Sequence, residues 1–302
     1  MTRATQLARR IVLLIAMGAA PLVAQQTPQM YPINFGQSAA PDVAVRLVGS
    51  FAKLRVTGWD RDSISLTGEM PVGAELTGLV GDEPMTIRAK LNFSKSSGGK
   101  PAGTLELRVP LRARVQIRGG TADISVTGVG GELDLNVVGG SIRVAGSPRV
   151  LKVDAMDASV TIDGSPEWAR LGSAAGDITM TGSSPDAHFI TVSGNIRVSD
   201  GSLERAMFQS VDGNIVFAGE FLRGASVSFD THSGNVELSL SAKASLHIDA
   251  ASYTGTIENG LTKLAPSKGR EDRGQEIVTD VGSGSGRAII RTFKGIVRLT
   301  RR

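Results

Sequence analysis

The sequence predicts an all-β protein, a single-stranded β-solenoid (β-helix) built from short coils of 18 to 21 residues, with two strands in each coil. Three observations lead to this fold class. The chain of 302 residues holds 37 glycines between short runs that alternate apolar with polar residues, a pattern typical of strands and turns. No stretch past residue 40 has the apolar spacing of an amphipathic helix. An apolar residue also returns at a nearly fixed interval after a turn glycine, which indicates stacked repeats.

The first 24 residues have the pattern of a secretory signal peptide. Arg3, Arg9 and Arg10 precede a short apolar run, and cleavage after Ala24 is the simplest interpretation. The run is shorter than the roughly 20 apolar residues that span a bilayer, so we expect no transmembrane segment after its removal; an uncleaved anchor is the alternative. The mature protein is therefore predicted to be extracytoplasmic: in the periplasm, on the outer surface or secreted. Residues 25–41 are expected to form a flexible leader.

Composition excludes several kinds of partner and site. The chain has 33 basic and 29 acidic residues, and removal of the leader takes three arginines and no acid, which leaves the mature chain almost neutral. Nucleic acid is therefore not an expected partner, because basic contacts to phosphates dominate that affinity. The absence of cysteine excludes disulfides, thiolate metal sites and cysteine nucleophiles.

A basic cluster remains at the C-terminal end. Its members are Arg287, Arg291, Lys294, Arg298, Arg301 and Arg302. We interpret the cluster as a solvated strand face, and a patch for anionic lipid or polysaccharide is the alternative.

The repeat is anchored on the first apolar residue after each turn glycine. Successive anchors are 18 residues apart at first and 19 to 21 apart later: Ile124, Ile142, Val160, Ile178, Ile196, Ile215, Val236 and Ile257, with Val297 closing the series after a long insertion. The residues two after, seven before and nine before each anchor are apolar in every unit except at Asn259. Polar residues lie between them, so both strands of a unit turn one face inward. We expect the units to stack about 4.8 Å apart around an aliphatic interior.

A corner is predicted just before each anchor. Seven of the nine residues two before the anchor are glycine, as at Gly194 and Gly213, which indicates either positive φ or tight stacking of the backbone. The next position holds mainly Asp, Asn or Ser. These short side chains hydrogen-bond to nearby backbone, and stacked asparagines form ladders.

The regular solenoid is predicted to occupy residues 115–302. Residues 42–114 contain strand patterns with unequal turn lengths, and we expect them to form an atypical N-terminal capping region. Residues 258–286 interrupt the coils with Pro, Lys, Glu and Gly, and we expect an exposed, mobile inserted loop there.

Three sets of residues mark a resemblance to a known family. They are LRVTGWDRDSISLTG, the recurring SGNIRV, DGNIVF and SGNVEL, and the closing GSGSGRAIIRTFKGIVRLT. They resemble the bacterial putative-adhesin family of β-strand repeats, formerly a domain-of-unknown-function family, over about residues 43–302. The resemblance implies an envelope-associated or secreted β-solenoid and carries over no catalytic residue.

No residue is predicted to be catalytic, to bind a cofactor or to ligate a metal. His188 and His247 fall on outward strand positions of the scaffold. Asp230, His232 and Ser233 are the residue types of a catalytic triad, but neighbours on one strand and corner do not have the geometry of a triad.

Two groups of acidic residues are the remaining candidates for chemistry. The corner acids Asp123 and Asp177 are separated by three coils, which is too far for one cation; a calcium role for the corner ladder is the alternative. Glu271, Asp272 and Glu276 lie within six residues of each other. Basic residues alternate with them, so a solvated loop of mixed charge is the favoured interpretation.

The sequence thus predicts an exported, non-enzymatic β-solenoid that acts as an adhesin-like binding or structural scaffold. The expected partner is an envelope polysaccharide, an envelope protein or another copy of the chain. A carbohydrate-active β-helix enzyme of the lyase or glycosidase kind is the alternative, because such enzymes also use β-helices and pair carboxylates. A structural envelope spacer without a ligand is a third hypothesis.

Overall fold

A computed structural model describes residues 29–72, 74–79, 85–91 and 103–302 of the chain. The predicted signal peptide, residues 1–24, lies outside this part. The described residues form 22 strands and one short 3-10 helix (Arg270–Asp272), and no helix among them is long and apolar enough to cross a bilayer. The strands are β1 (Met30–Ser38), β2 (Ala44–Gly49), β3 (Lys53–Trp59), β4 (Ser63–Pro71), β5 (Ala74–Leu79), β6 (Met85–Leu91), β7 (Thr104–Pro110), β8 (Arg114–Thr127), β9 (Glu132–Ala145), β10 (Val150–Asp163), β11 (Trp168–Ser173), β12 (Ile178–Thr181), β13 (Ser184–Thr191), β14 (Ile196–Ser210), β15 (Ile215–Thr231), β16 (Val236–Leu240), β17 (Leu246–Ser252), β18 (Ile257–Asn259), β19 (Ser267–Lys268), β20 (Gln275–Val281), β21 (Gly286–Thr292) and β22 (Val297–Arg301).

The predicted solenoid and its register are confirmed. β8, β9 and β10 pair in parallel with an offset of one repeat, so Ile124 lies beside Ile142, and Ile142 lies beside Val160. The same register continues through β12 and β14, where Ile178 pairs with Ile196. β8, β9 and β10 continue around the corner, so the two sides of the solenoid belong to one continuous sheet.

The interior is closely packed but not purely aliphatic. The inward positions are almost fully excluded from solvent from Val45 to Leu299. Phe189, Phe208 and Phe229 stack on one another inside successive coils, with ring centroids 4.7 and 4.5 Å apart. Burial of such side chains on one common face is what holds each coil to the next.

The N-terminal region contains one more regular coil than the sequence predicts. β2 and β3 both pair in parallel with β8, which places Val45 beside Val115 and Leu54 beside Ile124. The other strands extend the two sides of this coil: β7, β4 and β1 beyond β3, and β6 and β5 beyond β2.

The expectation of a flexible leader is wrong over β1. This strand pairs with β4 along nine antiparallel positions, from Met30 beside Pro71 to Ser38 beside Ser63. It satisfies backbone groups that the edge of β4 would otherwise leave unpaired, and Ile33 is buried against the core.

The coils do not stack in chain order at the C-terminal end. Ala288 of β21 pairs with Val227 of β15 on one side and with Ile248 of β17 on the other. β22 likewise lies between β16 and β18. The last coil of the sequence is therefore inserted between two coils that are adjacent in sequence. Val297 closes the series of anchors along the chain but lies inside the stack.

The segment 258–286 is also more ordered than an inserted mobile loop. β20 pairs in an antiparallel manner with β17 and covers the end of the stack, where Ile277 and Val281 are buried. Asn259, the exception to the apolar pattern, holds the turn that leads into this segment. Its side-chain amide donates to Thr262 Oγ1 at 2.8 Å and to the Leu264 carbonyl at 2.8 Å.

Candidate functional site

The corner that precedes each anchor is held from the inside by buried hydroxyl groups. They belong to Ser173, Thr191, Ser210, Thr231, Thr292 and Ser252, each at most 8% exposed. In five of these six coils the hydroxyl accepts a hydrogen bond from the glycine N–H three residues later. Thr292, for example, accepts from Gly295 at 2.9 Å and donates to the Gly234 carbonyl at 3.0 Å. The hydroxyls thus satisfy backbone groups that the corner buries.

Tight stacking explains the glycines of the corner. A Cβ atom on Gly194 would lie 2.1 Å from the Gly176 carbonyl oxygen, and one on Gly213 would lie 1.8 Å from the Gly194 carbonyl oxygen. Of the corner glycines only Gly140 has positive φ, 102°. The close approach of successive coils, more than backbone conformation, therefore requires glycine here.

The outer side of the corner carries the predicted ladder of short polar side chains. Asp177 Oδ1 accepts from the Asn195 backbone N–H at 2.7 Å and from its side-chain amide at 3.0 Å. The pattern repeats from Asn195 to Asn214, and Asn235 continues it. Asp123 lies at a separate rung, where it accepts from the Ser141 hydroxyl at 2.6 Å. Within the described residues no three metal-binding side chains form a group.

Beside this ladder runs a line of exposed, mostly apolar side chains, four residues before every anchor except the first, where Gly120 stands. We call this line the corner row. It consists of Val138, Met156, Ala174, Val192, Val211, His232, Phe293 and Tyr253. Backbone hydrogen bonds connect successive members directly, as from Val211 N–H to the Val192 carbonyl and from His232 N–H to the Val211 carbonyl, both 3.1 Å. Six of the twelve exposed large apolar side chains in the described part of the chain lie on this row. The repeat register contains the signal for it, at a corner position that the inward, outward and ladder positions of the repeat do not include.

The corner row ends in three stacked rings. The His232 and Phe293 rings have centroids 4.8 Å apart and are tilted by 4°, and the Phe293 and Tyr253 rings are 5.0 Å apart and tilted by 14°. Insertion of the last coil brings Phe293 between the other two rings. The His232 ring packs on Phe293, and among the described contacts no hydrogen bond joins it to Asp230 or Ser233.

The other two histidines lie apart from the corner row. His188 Nε2 is 3.6 Å from Asp186 Oδ1, and His247 Nδ1 is 2.7 Å from Asp280 Oδ1. Each therefore has one carboxylate neighbour on the scaffold, and neither lies beside His232.

A pocket of about 410 Å³ opens beside Tyr253, between the terminal coil and the segment that covers it. We call it the cap pocket. It is lined by Asp249, Ala251, Ser252, Tyr253, Gly269, Arg270, Arg273, Gln275, Glu276, Arg291 and Thr292. The guanidinium of Arg291 donates a hydrogen bond to the Asp249 carboxylate at 2.8 Å. Of the three loop acids singled out in the sequence, only Glu276 lines the pocket.

Half of the basic cluster at the C-terminal end is paired with acids of other coils: Arg291 with Asp249, Arg298 with Glu258, and Arg302 with Asp200. Arg298 donates to Glu258 at 2.7 Å and lies 3.9 Å from Glu237. The hydrogen bond and the negative charge of Glu258 raise the pKa of Arg298 above its already high ordinary value. These pairs favour the interpretation of a solvated strand face over a single anion-binding patch.

Comparisons with solved structures find proteins of low identity. A putative adhesin from Bacteroides fragilis is 10% identical, with 90% of this chain and 98% of that chain covered and a TM-score of 0.41. A putative lipid binding protein from Parabacteroides distasonis is 14% identical, with coverage of 88% and 96% and a TM-score of 0.36. A putative cell adhesion protein from Clostridium sporogenes is 9% identical, with coverage of 91% and 100% and a TM-score of 0.22. No curated protein matches the sequence.

A family model gives the more specific result. The model described as Toastrack DUF4097 matches residues 123–292, more than half of the chain. This match confirms the resemblance to a family of β-strand repeats and agrees with the solenoid register. The chain belongs to the Toastrack DUF4097 family, whose fold is β-solenoid-like.

Proposed function

We propose that the protein is an exported, non-catalytic, adhesin-like scaffold that binds an envelope polysaccharide along the corner row. The corner row itself carries the proposal. Contiguous apolar side chains on a protein surface mark interaction sites when they are not covered by the fold. Met156 is 64% exposed and Val192 is 50% exposed, although both occupy a regular position of the repeat.

The corner is well suited to bind without rearrangement. The buried hydroxyls fix it from within, and the ladder of Asp177, Asn195 and Asn214 fixes it from outside. A surface that is already ordered loses little conformational entropy when a partner binds, which favours affinity.

A linear polysaccharide matches the shape of this surface. The row repeats at the strand spacing of about 4.8 Å, close to the length by which an extended sugar chain advances per ring. Ring C–H groups of a sugar pack on apolar and aromatic side chains, since an aromatic face is partially negative. The exposed Ser193 hydroxyl lies on the same corner, as do the second amide N–H groups of Asn195 and Asn214, which the ladder does not use. These groups suit the surrounding sugar hydroxyls.

The enzyme alternative receives less support from the geometry. Glycoside cleavage pairs two carboxyl groups across the scissile bond, roughly 5 to 9.5 Å apart. Glu276 lines the cap pocket, but its other lining acid, Asp249, is held by Arg291. Export rests on the predicted signal peptide at residues 1–24, and fractionation of cells that express the full chain tests it.

The binding experiment uses the mature chain and an array of envelope polysaccharides. A Met156→Ser/Val192→Ser variant is expected to bind several-fold more weakly, with an unchanged melting temperature, because both side chains are exposed. Leu111→Ser is the matched control, because Leu111 is 45% exposed but lies off the row. This variant is expected to bind the polysaccharide as tightly as the unmodified chain. Absence of saturable binding would overturn the proposal in favour of a structural spacer. Release of shortened polymer would overturn it in favour of an enzyme.

A further inference from the structure

We infer that the cap pocket binds a carboxylate-bearing sugar of the uronic acid class. This inference rests on the proposed function, since it specifies the ligand at the end of the corner row. The pocket volume of about 410 Å³ lies in the range of small-ligand sites, roughly 300 to 1,000 Å³, and it suits one or two sugar rings.

The charges of the pocket favour an anion. Arg270 and Arg273 line it, and in the described part of the chain no acidic side chain forms an ion pair with either guanidinium. Arg291 and Asp249 neutralise each other, so Glu276 is the one lining acid that opposes two arginines. A guanidinium group binds a carboxylate through two parallel hydrogen bonds. The lining therefore has one positive charge in excess, and it contains two guanidinium groups of the kind that binds carboxylates.

Tyr253 adds a surface for the sugar ring. One face of its ring is stacked on Phe293, with ring centroids 5.0 Å apart. Among the described residues no other aromatic ring packs on Tyr253. It is the terminal ring of the corner row and also lines the cap pocket. A pyranose that places its C–H groups on this tyrosine can present its carboxylate to the arginines.

The backbone of the loop that carries the arginines is strained. Glu271 and Asp272 have φ of 58° and 57°, and they are two of the three non-glycine residues with positive φ in the described residues. Gly274, also at φ 58°, lies so close to the Ser252 and Tyr253 carbonyls that a Cβ there would be 2.0 and 2.4 Å from their oxygens. Strain of this kind persists where the surrounding structure holds it and concentrates at ligand sites. Here the strained residues lie between Arg270 and Arg273, the two arginines that line the pocket together with Tyr253.

Isothermal titration with an oligomer of galacturonic acid tests the inference, with its methyl ester as the uncharged probe. The acid is expected to bind, and the ester at least about tenfold more weakly, because it cannot accept the charge-assisted hydrogen bonds. Arg270→Gln/Arg273→Gln is expected to remove most of the difference between acid and ester. Arg223→Gln is the matched control, since Arg223 is an exposed arginine outside the pocket. Inorganic phosphate is titrated as a competitor.

Equal affinity for acid and ester would overturn the inference, as would an unchanged affinity in the double arginine variant. Competition by phosphate as strong as by the sugar acid would also overturn it, because the pocket would then recognise any oxyanion. These outcomes are distinct from failure of the proposed function. Polysaccharide binding that depends on Met156 and Val192 but not on the arginines leaves the scaffold proposal intact. Uronate binding that depends on the arginines but not on Met156 and Val192 would support the pocket and overturn the role of the corner row.

Discussion

The side-chain oxygen of Asn235 accepts a hydrogen bond from the backbone N–H of Ile296 at 2.8 Å, although the two residues are 61 positions apart in the chain. Asn195 and Asn214 accept the same hydrogen bond, but from the backbone N–H of the coil that follows in sequence. The corner ladder therefore passes onto the last coil and bypasses the coil that follows in sequence. The stack is complete only when the C-terminal residues occupy their place, so folding of this end depends on the full chain.

Engineered disulfides test the inserted order directly, because the native chain has no cysteine. Ser228→Cys with Ile289→Cys is expected to form a disulfide, since these residues pair across β15 and β21. Neighbouring strands are about 4.8 Å apart, within the Cα separation that a disulfide accepts. Ser228→Cys with Asp249→Cys is the matched control, because Ile289 lies between them and two strand spacings exceed the limit of about 7 Å.

Mass spectrometry of non-reduced peptides measures both cross-links. Stacking in chain order predicts the opposite result, with Ser228 bound to Asp249. A cross-link in the second pair alone would therefore contradict the inserted order.

The sequence determines the register of this fold but not the order of the coils. Inward apolar residues at fixed offsets specify which positions face the core. Ala288 and Ile290, however, have the same character as Ile248 and Ala250, so each coil fits beside any other and the period carries no information on order. Chain connectivity and the covering strand β20 select the order of the coils. β20 was not predicted, because its segment has the composition of a loop.

The candidate site was less accessible to sequence reasoning. The ladder followed from Asp and Asn at one repeated position, because these side chains have a strong local preference. The corner row depends on which way the backbone turns at the corner, and the alternation of apolar and polar residues does not specify that turn. The cap pocket combines residues of β17, β20, β21 and the 3-10 segment, whose contact depends on the unpredicted insertion.

The register itself predicts a strong contrast between neighbouring residues of β12. Ile178 is fully buried, whereas Thr179 faces outward between Thr161 and Arg197. Ile178→Asp is expected to lower the free energy of unfolding by about 4 kcal/mol or more, because it buries an unpaired charge. Thr179→Asp is expected to change it by about 0.5 kcal/mol or less. Denaturation by urea measures both, and equal losses would refute the register.

The buried hydroxyls predict a cost for an almost isosteric substitution. Thr292→Val keeps the shape of the side chain but leaves the Gly295 N–H and the Gly234 carbonyl without their partner. Loss of a buried partner costs about 1 to 3 kcal/mol, and we expect a decrease in unfolding free energy of that size. Thr161→Val is the control, since Thr161 is an exposed threonine on β10. The role of the hydroxyl would be disproved if both variants unfolded at the same urea concentration as the unmodified protein.

Two glycines, Gly194 at a corner and Gly120 in β8, are expected to respond in opposite ways to one added methyl group. Gly194→Ala places a Cβ 2.1 Å from the Gly176 carbonyl oxygen, so successive coils must separate, and overpacking of this kind typically costs about 1 to 3 kcal/mol. Gly120→Ala meets no heavy atom within 4 Å and does not require positive φ. It is expected to stabilise the protein by about 0.4 to 1 kcal/mol, because alanine reduces the freedom of the unfolded chain. Thermal unfolding of the two variants distinguishes close stacking from a general intolerance of substitution. Close stacking requires the two melting temperatures to shift in opposite directions, whereas general intolerance lowers both.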